Sequence, residues 1–373
     1  MSSLFEGWTW QPPEHWMRIT TVDMHCGGEP LRVITGGLPQ LEGRTVLEKR
    51  RCFRDRYDDL RTALMWEPRG HADMYGAVLT PSADADFDVF FLHNEGYSTM
   101  CGHAILALTT LAFETGLIAK PGDARELAIN APAGRVHARA NMRGPKVTRA
   151  SFANVPSFVY TRGCEVEVPG IGSVSYDISY GGAFYALVDA APLGLELVPD
   201  QVSRIIDYGR RIKHAVMHAG PVTHPLEPDL SFLYGTIFTD RPQTPGRHSR
   251  NVCVFADGEV DRSATGTGVS ARAAQLHARG ELKIGETITI ESIVGSTMSV
   301  AATESTTFGP YSAVLPEVSG TASITGRHEF LIDPDDPFRT GFILRCVTTS
   351  RPGSDRCPSC RCRPRARVAS SAG

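Results

Sequence analysis

Two segments of the sequence each place a side chain capable of acid–base or nucleophilic chemistry directly before a glycine and a run of helix-forming residues. The first is MCGHAILALTTLAFETG (100–116), in which Cys101 precedes the glycine, and the second is ATGTGVSARAAQLHARG (264–280), in which Thr265 does. Both segments end in glycine, a common residue at the end of a helix. The spacing therefore predicts that Cys101 and Thr265 each lie where a loop enters the first turn of a helix.

The start of a helix carries backbone N–H groups without partners and a partial positive charge. Two helix starts that face each other across a cleft would form a binding site for a carboxylate. The N–H groups that would line this site belong to Gly102, His103, Gly266, Thr267 and Gly268. The same partial charge is expected to lower the pKa of the Cys101 thiol and so to increase the fraction of reactive thiolate.

The segments around these two helices are also similar to each other and occur in the same order. A strand-like segment precedes each helix, a strand–turn–strand pattern follows it, and a glycine-rich stretch lies upstream. The paired segments are 88–94 and 251–257, 126–140 and 287–302, and 25–34 and 180–188. We therefore predict an α/β (α+β) fold built from two similar, pseudo-symmetric domains, 18–160 and 161–344, with the active-site cleft between them.

The composition restricts the kinds of partner that the chain can have. Its 373 residues are 42% hydrophobic and 21% charged, which suits two globular domains with their own cores. The net charge of −3 gives no long-range attraction to nucleic acid or to acidic membranes. No apolar run approaches the roughly 18 residues needed to cross a bilayer, and the N-terminus lacks the pattern of a secretory signal. We expect a cytoplasmic protein that binds a small molecule; the sequence leaves the oligomeric state open, with a homodimer as one arrangement.

Several segments resemble those of the proline racemase family. MCGHAILAL around Cys101 and DRSATGTGVSAR at 261–272 are similar to the two active-site signatures of that family. Further similar segments are DMHCGGEPLRV at 23–33, EPRGHADMYGAVL at 67–79, HNEGYSTM before Cys101, and SYGGAFYALVDA at 179–190. The resemblance covers nearly the whole of 18–344.

This resemblance implies a fold of the proline racemase and diaminopimelate epimerase type, in which two catalytic residues face each other across the cleft. It implies that Cys101 and Thr265 hold these two positions, that the substrate is a cyclic imino acid, and that no pyridoxal phosphate, other cofactor or metal is used. Asp261 corresponds to the position that binds the ring ammonium of the substrate. The positions that bind its carboxylate correspond to Gly102, His103, Gly266 and Thr267.

Residue 265 departs from the pattern of the family's racemases, which have cysteine at both catalytic positions. A thiol with a pKa of about 8.5 exchanges protons near neutral pH, whereas an unactivated threonine hydroxyl is a much weaker acid and base. Racemisation with two bases should therefore be severely impaired. The combination of Cys101 and Thr265 resembles the members of the family that dehydrate trans-3-hydroxy-L-proline to Δ1-pyrroline-2-carboxylate.

The stereochemistry of that substrate suits a site with a single thiol. The hydroxyl and the α-hydrogen of trans-3-hydroxy-L-proline lie on the same ring face, opposite the carboxylate, so the loss of water is a syn elimination. Cys101 could remove the α-proton and return it to the departing hydroxyl without an acid–base group on the other face. Two alternatives stay open: a proline racemase or hydroxyproline 2-epimerase with Thr265 as the acid, and a non-enzymatic binder of cyclic amino acids.

Some of the candidate residues allow competing interpretations. Among the nine cysteines, Cys26 is the strongest rival of Cys101 as nucleophile because Gly-Gly-Glu follows it, although the family usually has threonine there. Thr265 could serve as a helix N-cap, and Asp261 could merely cap its loop. His103 could be only a first-turn residue that offers its backbone N–H.

Two further groups of residues could suggest metal binding. The four residues of the first group lie on separate loops or strand ends and lack the spacing of ligands: His25, His71, His93 and Glu95. The second group is the tail at 345–373, which holds seven Arg, one Asp and four Cys, with CPSC as a C-x-x-C motif. The tail lacks the apolar flanks of a zinc ribbon, so we expect a disordered extension or a frame-shifted end.

Overall fold

The computed structural model describes residues 6–120 and 125–344, so the predictions made for the tail at 345–373 lie outside the described residues. The elements of the first half are β1 (Met17–Cys26), β2 (Glu29–Gly36), α1 (Val46–Met65), β3 (Tyr75–Thr80), β4 (Phe87–His93), β5 (Gly96–Ser98), α2 (Gly102–Thr115), β6 (Glu126–Ala131), β7 (Gly134–Arg143), β8 (Lys146–Ala153) and β9 (Ser157–Val168). Those of the second half are β10 (Gly172–Tyr180), β11 (Phe184–Asp189), α3 (Val202–Ala219), β12 (Leu233–Asp240), β13 (Ser249–Phe255), β14 (Glu259–Val260), α4 (Gly266–Ala278), β15 (Thr287–Glu291), β16 (Thr297–Phe308), β17 (Tyr311–Gly320) and β18 (Ala322–Ile332). Short 3-10 helices are Ala191–Leu193, Pro199–Gln201 and Pro228–Leu230. Strands and helices thus follow in the same order twice.

The strand pairing repeats as well. The hairpin of β1 and β2 corresponds to that of β10 and β11, and the hairpin of β6 and β7 to that of β15 and β16. Two parallel pairs in each half correspond in the same way: β2 with β3 and β4 with β6, and β11 with β12 and β13 with β15. Parallel neighbours need a crossover connection, which α1 and α2 provide in the first half and α3 and α4 in the second.

One helix in each half is enclosed by strands. α2 packs against β1, β2, β7, β8, β17 and β18, and α4 packs against β9, β10, β11, β16 and β17. Every residue of α2 from Gly102 to Ala112 is buried, as expected for a helix that is apolar on all sides. The ends of both helices match the sequence prediction, since Gly116 and Gly280 follow them with positive φ angles of 69° and 75°.

The last strand of each repeat pairs with the first strand of the other repeat. β9 pairs with β10, and β18 pairs with β1 along its whole length, from Met17 opposite Ile332 to Cys26 opposite Ala322. β8 and β17 also pair with each other where the two halves meet. The predicted division at 160/161 stays a prediction; it falls inside β9, and β18 returns to the sheet of the first half.

The predicted fold class is confirmed, because the chain forms two similar α/β halves. Among the described residues, no helix is both long enough and apolar enough to span a bilayer.

Candidate active site

α2 and α4 approach each other at their first residues, where the two halves meet. A Cβ atom built on Gly102 would lie 2.5 Å from the Cα of Gly266, and one built on Gly266 would lie 2.6 Å from the Cα of Gly102. Such short contacts do not occur between real atoms, so the close approach of the two backbones requires glycine at both positions. The residues directly before these glycines are Cys101 and Thr265. The structure thus brings together the two helix starts that the sequence singled out.

A small pocket lies between these helix starts. It is lined by all seven of the candidate site residues: Cys101, Gly102, His103, Asp261, Thr265, Gly266 and Thr267. The other residues that line it are Tyr75, Met100, Tyr185, Tyr234 and Phe255. All of these residues are buried, so the pocket lies in the interior, where the two halves meet.

The thiol of Cys101 has two polar neighbours inside the pocket. Its Sγ lies 3.2 Å from Nδ1 and 3.5 Å from Nε2 of His103, and Tyr75 lines the same pocket. Burial raises the pKa of the thiol well above its ordinary value, while the backbone N–H of Ala104 and the hydroxyl of Tyr75 lower it. The predicted lowering by the helix start is therefore wrong as a net effect. The first-turn N–H acts in the expected direction, but the loss of water around a buried thiolate outweighs it.

The imidazole of His103 is a proton acceptor toward this thiol. Burial lowers the pKa of His103, which favours the neutral ring. A neutral imidazole has one N–H donor and one acceptor nitrogen, and both ring nitrogens lie within 3.5 Å of the Cys101 Sγ. In the tautomer that presents its acceptor nitrogen to the sulfur, the side chain can take the Cys101 proton. The sequence indicated only the backbone N–H of this residue.

Thr265 adopts a conformation that is rare for its residue type. Its φ of 65° and ψ of 96° lie in the left-handed half of conformational space, where a β-branched residue is an outlier and costs roughly 1–3 kcal/mol. Its side chain makes no capping hydrogen bond to α4, so the interpretation of Thr265 as a helix N-cap is wrong with respect to its hydroxyl. Strain of this kind persists only where the surroundings hold the backbone in place.

Asp261 places a carboxylate on the second-half side of the pocket. Its Oδ1 accepts a hydrogen bond of 2.7 Å from the N–H of Ser263, which fixes the loop before α4. The loop-capping role considered from the sequence is therefore present, and the side chain also lines the pocket. The negative charge raises the pKa of Cys101 and of the buried Glu29 nearby.

Glu29 connects this loop to the first half of the chain. Its Oε2 accepts a hydrogen bond of 2.7 Å from the N–H of Arg262. The side chain of Arg262 in turn forms a 2.6 Å ion pair with Asp73. Burial and the charge of Asp261 raise the pKa of Glu29 well above its ordinary value. These contacts hold the loop of Asp261 against the first half.

A ring of aromatic side chains completes the pocket, and the sequence did not single it out. Tyr75, Tyr185, Tyr234 and Phe255 come from four different strands. Tyr234 stacks on Phe255 with ring centroids 5.2 Å apart, and the hydroxyl of Tyr185 lies 2.6 Å from Oγ1 of Thr267. The only available signal for Tyr75 was its place in the segment EPRGHADMYGAVL, which carried part of the family resemblance.

The rival thiol of Cys26 lies at the end of β1 and is not among the residues that line the pocket. Burial, reinforced by the charges of Asp261 and Glu29, raises its pKa.

Within 6–120 and 125–344, no group of three or more His, Cys, Asp or Glu side chains is arranged to hold a metal ion. The expectation that no metal or cofactor is used stays a prediction.

Comparison with known proteins identifies the family. The family model described as proline racemase matches residues 21–343, and the chain belongs to the proline racemase family, whose members are enzymes.

Particular relatives narrow the comparison. The chain is 50% identical to the trans-3-hydroxy-L-proline dehydratase of Colwellia psychrerythraea over 341 residues, which cover 90% of this chain and 96% of that protein. It is 44% identical to the 3-hydroxyproline 2-epimerase of Burkholderia multivorans, over 88% of this chain and 98% of that protein. Several other relatives, at 44–46% identity, are trans-3-hydroxy-L-proline dehydratases.

The fold is also that of solved members of the family. The crystal structure of a hydroxyproline epimerase from Agrobacterium vitis with bound trans-4-hydroxy-L-proline superposes with a TM-score of 0.84 at 32% identity, covering 89% of this chain and 96% of that one.

Proposed function

We propose that this enzyme is a hydro-lyase that converts trans-3-hydroxy-L-proline to Δ1-pyrroline-2-carboxylate and water. The observation that carries the proposal is that Cys101 is the only thiol among the described residues that line the pocket, with Thr265 on the opposite helix start. A single proton-accepting thiol suits a syn elimination, in which the α-hydrogen and the hydroxyl leave from one face. The dehydratase relatives support the same reaction.

The two helix starts supply the binding of the substrate carboxylate. Gly102 and His103 offer N–H groups from α2, and Gly266 and Thr267 offer them from α4, all at the first turns where no partner exists within the helix. Charge moves onto the carboxylate as the Cα–H bond breaks, so donors fixed at this position stabilise the transition state more than the bound substrate.

Cys101 removes the α-proton as a thiolate. Because burial raises its pKa, the thiol needs a base, and the neutral ring of His103 at 3.2 Å is placed to accept its proton. The carboxylate of Asp261 binds the ring ammonium. Thr265 closes the opposite side of the pocket without taking part in proton transfer.

The product is an enamine that tautomerises to the imine. The electron pair of the Cα–H bond forms a C2–C3 double bond while the C3–O bond breaks, and the departing hydroxyl takes the proton that Cys101 has removed and leaves as water. The 2,3-double bond then shifts to the ring nitrogen to give Δ1-pyrroline-2-carboxylate.

A panel of substrates tests the proposal. The purified protein is incubated with each stereoisomer of proline, 3-hydroxyproline and 4-hydroxyproline, and Δ1-pyrroline-2-carboxylate is assayed. We expect product from trans-3-hydroxy-L-proline and not from its cis isomer, whose hydroxyl lies on the other face from the α-hydrogen. No product from the trans isomer would contradict the proposal.

A 2-epimerase is the second candidate function, because one relative at 44% identity is a 3-hydroxyproline 2-epimerase. The two functions differ in the fate of the α-carbon. An epimerase incorporates deuterium from D2O there with inversion and retains the hydroxyl, whereas the dehydratase releases water. A binder that is not an enzyme is disfavoured by the contact of Cys101 with His103, since binding alone needs no activated thiol.

The cellular compartment and the oligomeric state remain to be considered. A reducing compartment such as the cytoplasm suits an enzyme whose catalytic Cys101 must stay a thiol. The homodimer stays a prediction that light scattering of the purified protein would test.

A further inference from the structure

The second residue of each buried helix presents a polar side chain to the pocket, and the two residues differ. His103 takes this place in α2 and contacts the Cys101 thiol, whereas Thr267 takes it in α4. The hydroxyl of Thr267 lies 2.6 Å from that of Tyr185, a residue of β11 that lines the same pocket. Both side chains are buried, with Thr267 2% exposed and Tyr185 0% exposed. The mechanism above assigns no role to this pair of hydroxyls.

The Thr267 hydroxyl lies where α4 offers its unpartnered N–H groups. Only Cα and Cβ separate its Oγ1 from the backbone nitrogen of the same residue, so the two polar groups face neighbouring parts of the pocket. A threonine inside a helix commonly donates its hydroxyl to the carbonyl four residues earlier, as Thr109 and Thr110 of α2 do. For Thr267 that carbonyl belongs to the loop before α4, and the hydroxyl is paired with Tyr185 instead.

Other contacts hold the backbone of this first turn. The hydroxyl of Ser270 donates a 3.0 Å hydrogen bond to the carbonyl of Gly266 and accepts one of 2.9 Å from Nδ2 of Asn154. The same Nδ2 donates a 2.8 Å hydrogen bond to the carbonyl of Gly181, where an added Cβ atom would clash with the carbonyl oxygen of Thr267. The backbone of the turn is therefore fixed without any contribution from the Thr267 side chain.

A carboxylate in the pocket determines the direction of the hydrogen bond between the two hydroxyls. An ionised carboxylate accepts hydrogen bonds and donates none, and a threonine hydroxyl has a single proton. When that proton is directed to the substrate, the Thr267 oxygen can only accept from Tyr185. Burial raises the pKa of Tyr185 well above its ordinary value, so the phenol keeps the proton that it donates. The hydrogen bonds then run from Tyr185 to Thr267 and on to the substrate.

We propose that the Thr267 hydroxyl binds the substrate carboxylate and that Tyr185 is the positioning residue that holds this hydroxyl in place. The inference rests on the carboxylate site of the proposed function and adds a side-chain donor to its backbone donors. Hydrogen bonds to an ionised group are the stronger ones, and a donor in a chain of hydroxyls is strengthened by the hydroxyl behind it. Tyr185 therefore increases the affinity for a carboxylate through Thr267.

Equilibrium binding separates this role from catalysis. We measure binding by calorimetry in a Cys101→Ser parent, with trans-3-hydroxy-L-proline and with its carboxamide, in which a neutral group replaces the carboxylate. The variants are Tyr185→Phe, Thr267→Val, their double variant, and Thr267→Ser, which keeps a hydroxyl. Tyr180→Phe is the matched control, because Tyr180 is a buried tyrosine of β10 whose hydroxyl has no hydrogen-bond partner among the described residues.

We expect Tyr185→Phe to weaken binding of the hydroxyproline about 10-fold and that of its carboxamide less than about threefold, since a neutral group gains less from the hydroxyl. Thr267→Val should weaken binding of the hydroxyproline about 10- to 100-fold, the usual range for a hydrogen bond to a charged group. The double variant should bind no more weakly than Thr267→Val, because Tyr185 acts only through that hydroxyl. Thr267→Ser and Tyr180→Phe should stay within about twofold of the parent, because neither removes a paired hydroxyl.

Three results would overturn the inference. An equal loss on the two ligands would show that Tyr185 supports the packing of the pocket. Losses that multiply in the double variant would show that the two hydroxyls act separately. A parent that binds the carboxamide as tightly as the acid would refute the carboxylate site itself.

Two further measurements keep these results distinct. Circular dichroism checks the fold of each variant, and the comparison of Thr267→Val with Thr267→Ser tests the hydroxyl even where Tyr185→Phe does not fold. Wild-type enzyme that releases no Δ1-pyrroline-2-carboxylate would refute the dehydration reaction, whereas the binding ratios would still decide the role of Tyr185.

Discussion

Cys101 precedes the first turn of α2, contacts the ring of His103 and shares its pocket with Tyr75. Burial dominates this environment, so the resting enzyme holds a thiol and not the thiolate that a helix start alone would favour. In the proposed mechanism the thiol proton has to leave before the α-proton can be removed, and His103 is the group in contact that can accept it. The mechanism therefore predicts that activity depends on the protonation state of His103.

This dependence gives a testable pH profile. Burial holds the pKa of His103 below its ordinary value of 6.5, so the accepting neutral form dominates above that lowered pKa and is lost as the pH falls through it. We expect kcat/KM to decline on the acid side only below pH 6.5. His103→Gln should lower kcat/KM by about 100-fold and remove this acid limb.

The profile is measured from pH 4.5 to 9 with trans-3-hydroxy-L-proline. The prediction fails if the wild-type acid limb is centred above pH 6.5, or if His103→Gln retains an unchanged limb.

A second prediction separates Cys101 from its rival thiol, Cys26. Cys101→Ser should lower turnover by about 100- to 10,000-fold, because a serine hydroxyl is a much weaker base than a thiol. Cys26→Thr should keep most of the activity, since Cys26 lies at the end of β1 outside the pocket lining. Steady-state kinetics of both variants tests which thiol is catalytic. An active Cys101→Ser together with an inactive Cys26→Thr would mean that the wrong thiol has been assigned.

Thr265 gives a third prediction. Thr265→Ala should weaken substrate binding modestly and leave dehydration running. Thr265→Cys places thiols on both faces of the pocket and should gain measurable 2-epimerisation of proline or a hydroxyproline. The threonine hydroxyl makes no capping bond, so neither change removes a cap from α4.

Epimerisation is followed by optical rotation and by α-deuterium in the enantiomeric product. If the wild-type enzyme already epimerises proline as fast as it dehydrates trans-3-hydroxy-L-proline, the argument from residue 265 does not hold.

At the scale of elements, the site depends on how closely α2 and α4 approach each other. The contact is made by Gly102 and Gly266, where added Cβ atoms would meet backbone and not a movable side chain. Backbone cannot move aside without shifting the whole helix start. The pair of glycines therefore sets the distance between the N–H groups of the two first turns, which we propose bind the carboxylate.

Gly266→Ala should force these helix starts apart. We expect a loss of stability of about 1–3 kcal/mol from overpacking, and a raised KM because the two sets of donors no longer converge on one carboxylate. Gly220→Ala is the matched control, since Gly220 has extended backbone at the end of α3 and open space around its Cβ position. Thermal unfolding and KM are measured for both. Equal behaviour of the two variants would show that the contact does not set the geometry.

Much of the element pattern could be predicted from the sequence because it is local. Glycines after the helix-forming runs marked the ends of α2 and α4, and the repeat of segments revealed the second half. The ring of aromatic side chains around the pocket could not be predicted in the same way, since Tyr234 and Phe255 meet only after β12 and β13 have paired. The positive φ of Thr265 could not be predicted either, because a β-branched residue rarely adopts this conformation.

At the scale of the whole molecule, neither half is complete without a strand from the other. β9 extends the sheet of the second half through β10, and β18 extends that of the first half through β1. The halves are therefore interlocked, and we expect a single cooperative unfolding transition, in contrast to the two transitions of independent domains. Far-ultraviolet circular dichroism and tyrosine fluorescence should give the same midpoint, and a fragment ending at residue 156 should not fold. Two separate midpoints would contradict this.

The exchange of last strands also has a consequence for synthesis on the ribosome. β1 pairs with β2 on one edge at once, but Cys26 on its other edge pairs with Ala322, so that edge stays open until about 300 more residues have been made, roughly 15–60 s at usual elongation rates. During this time the nascent chain exposes an open strand edge and the apolar surface of α2 that β18 later covers. Pairing over such a distance along the chain is slow. The newly made enzyme should therefore depend on chaperones until its last strand arrives, and variants that weaken β18 should aggregate during production before they lose activity in the purified, folded protein.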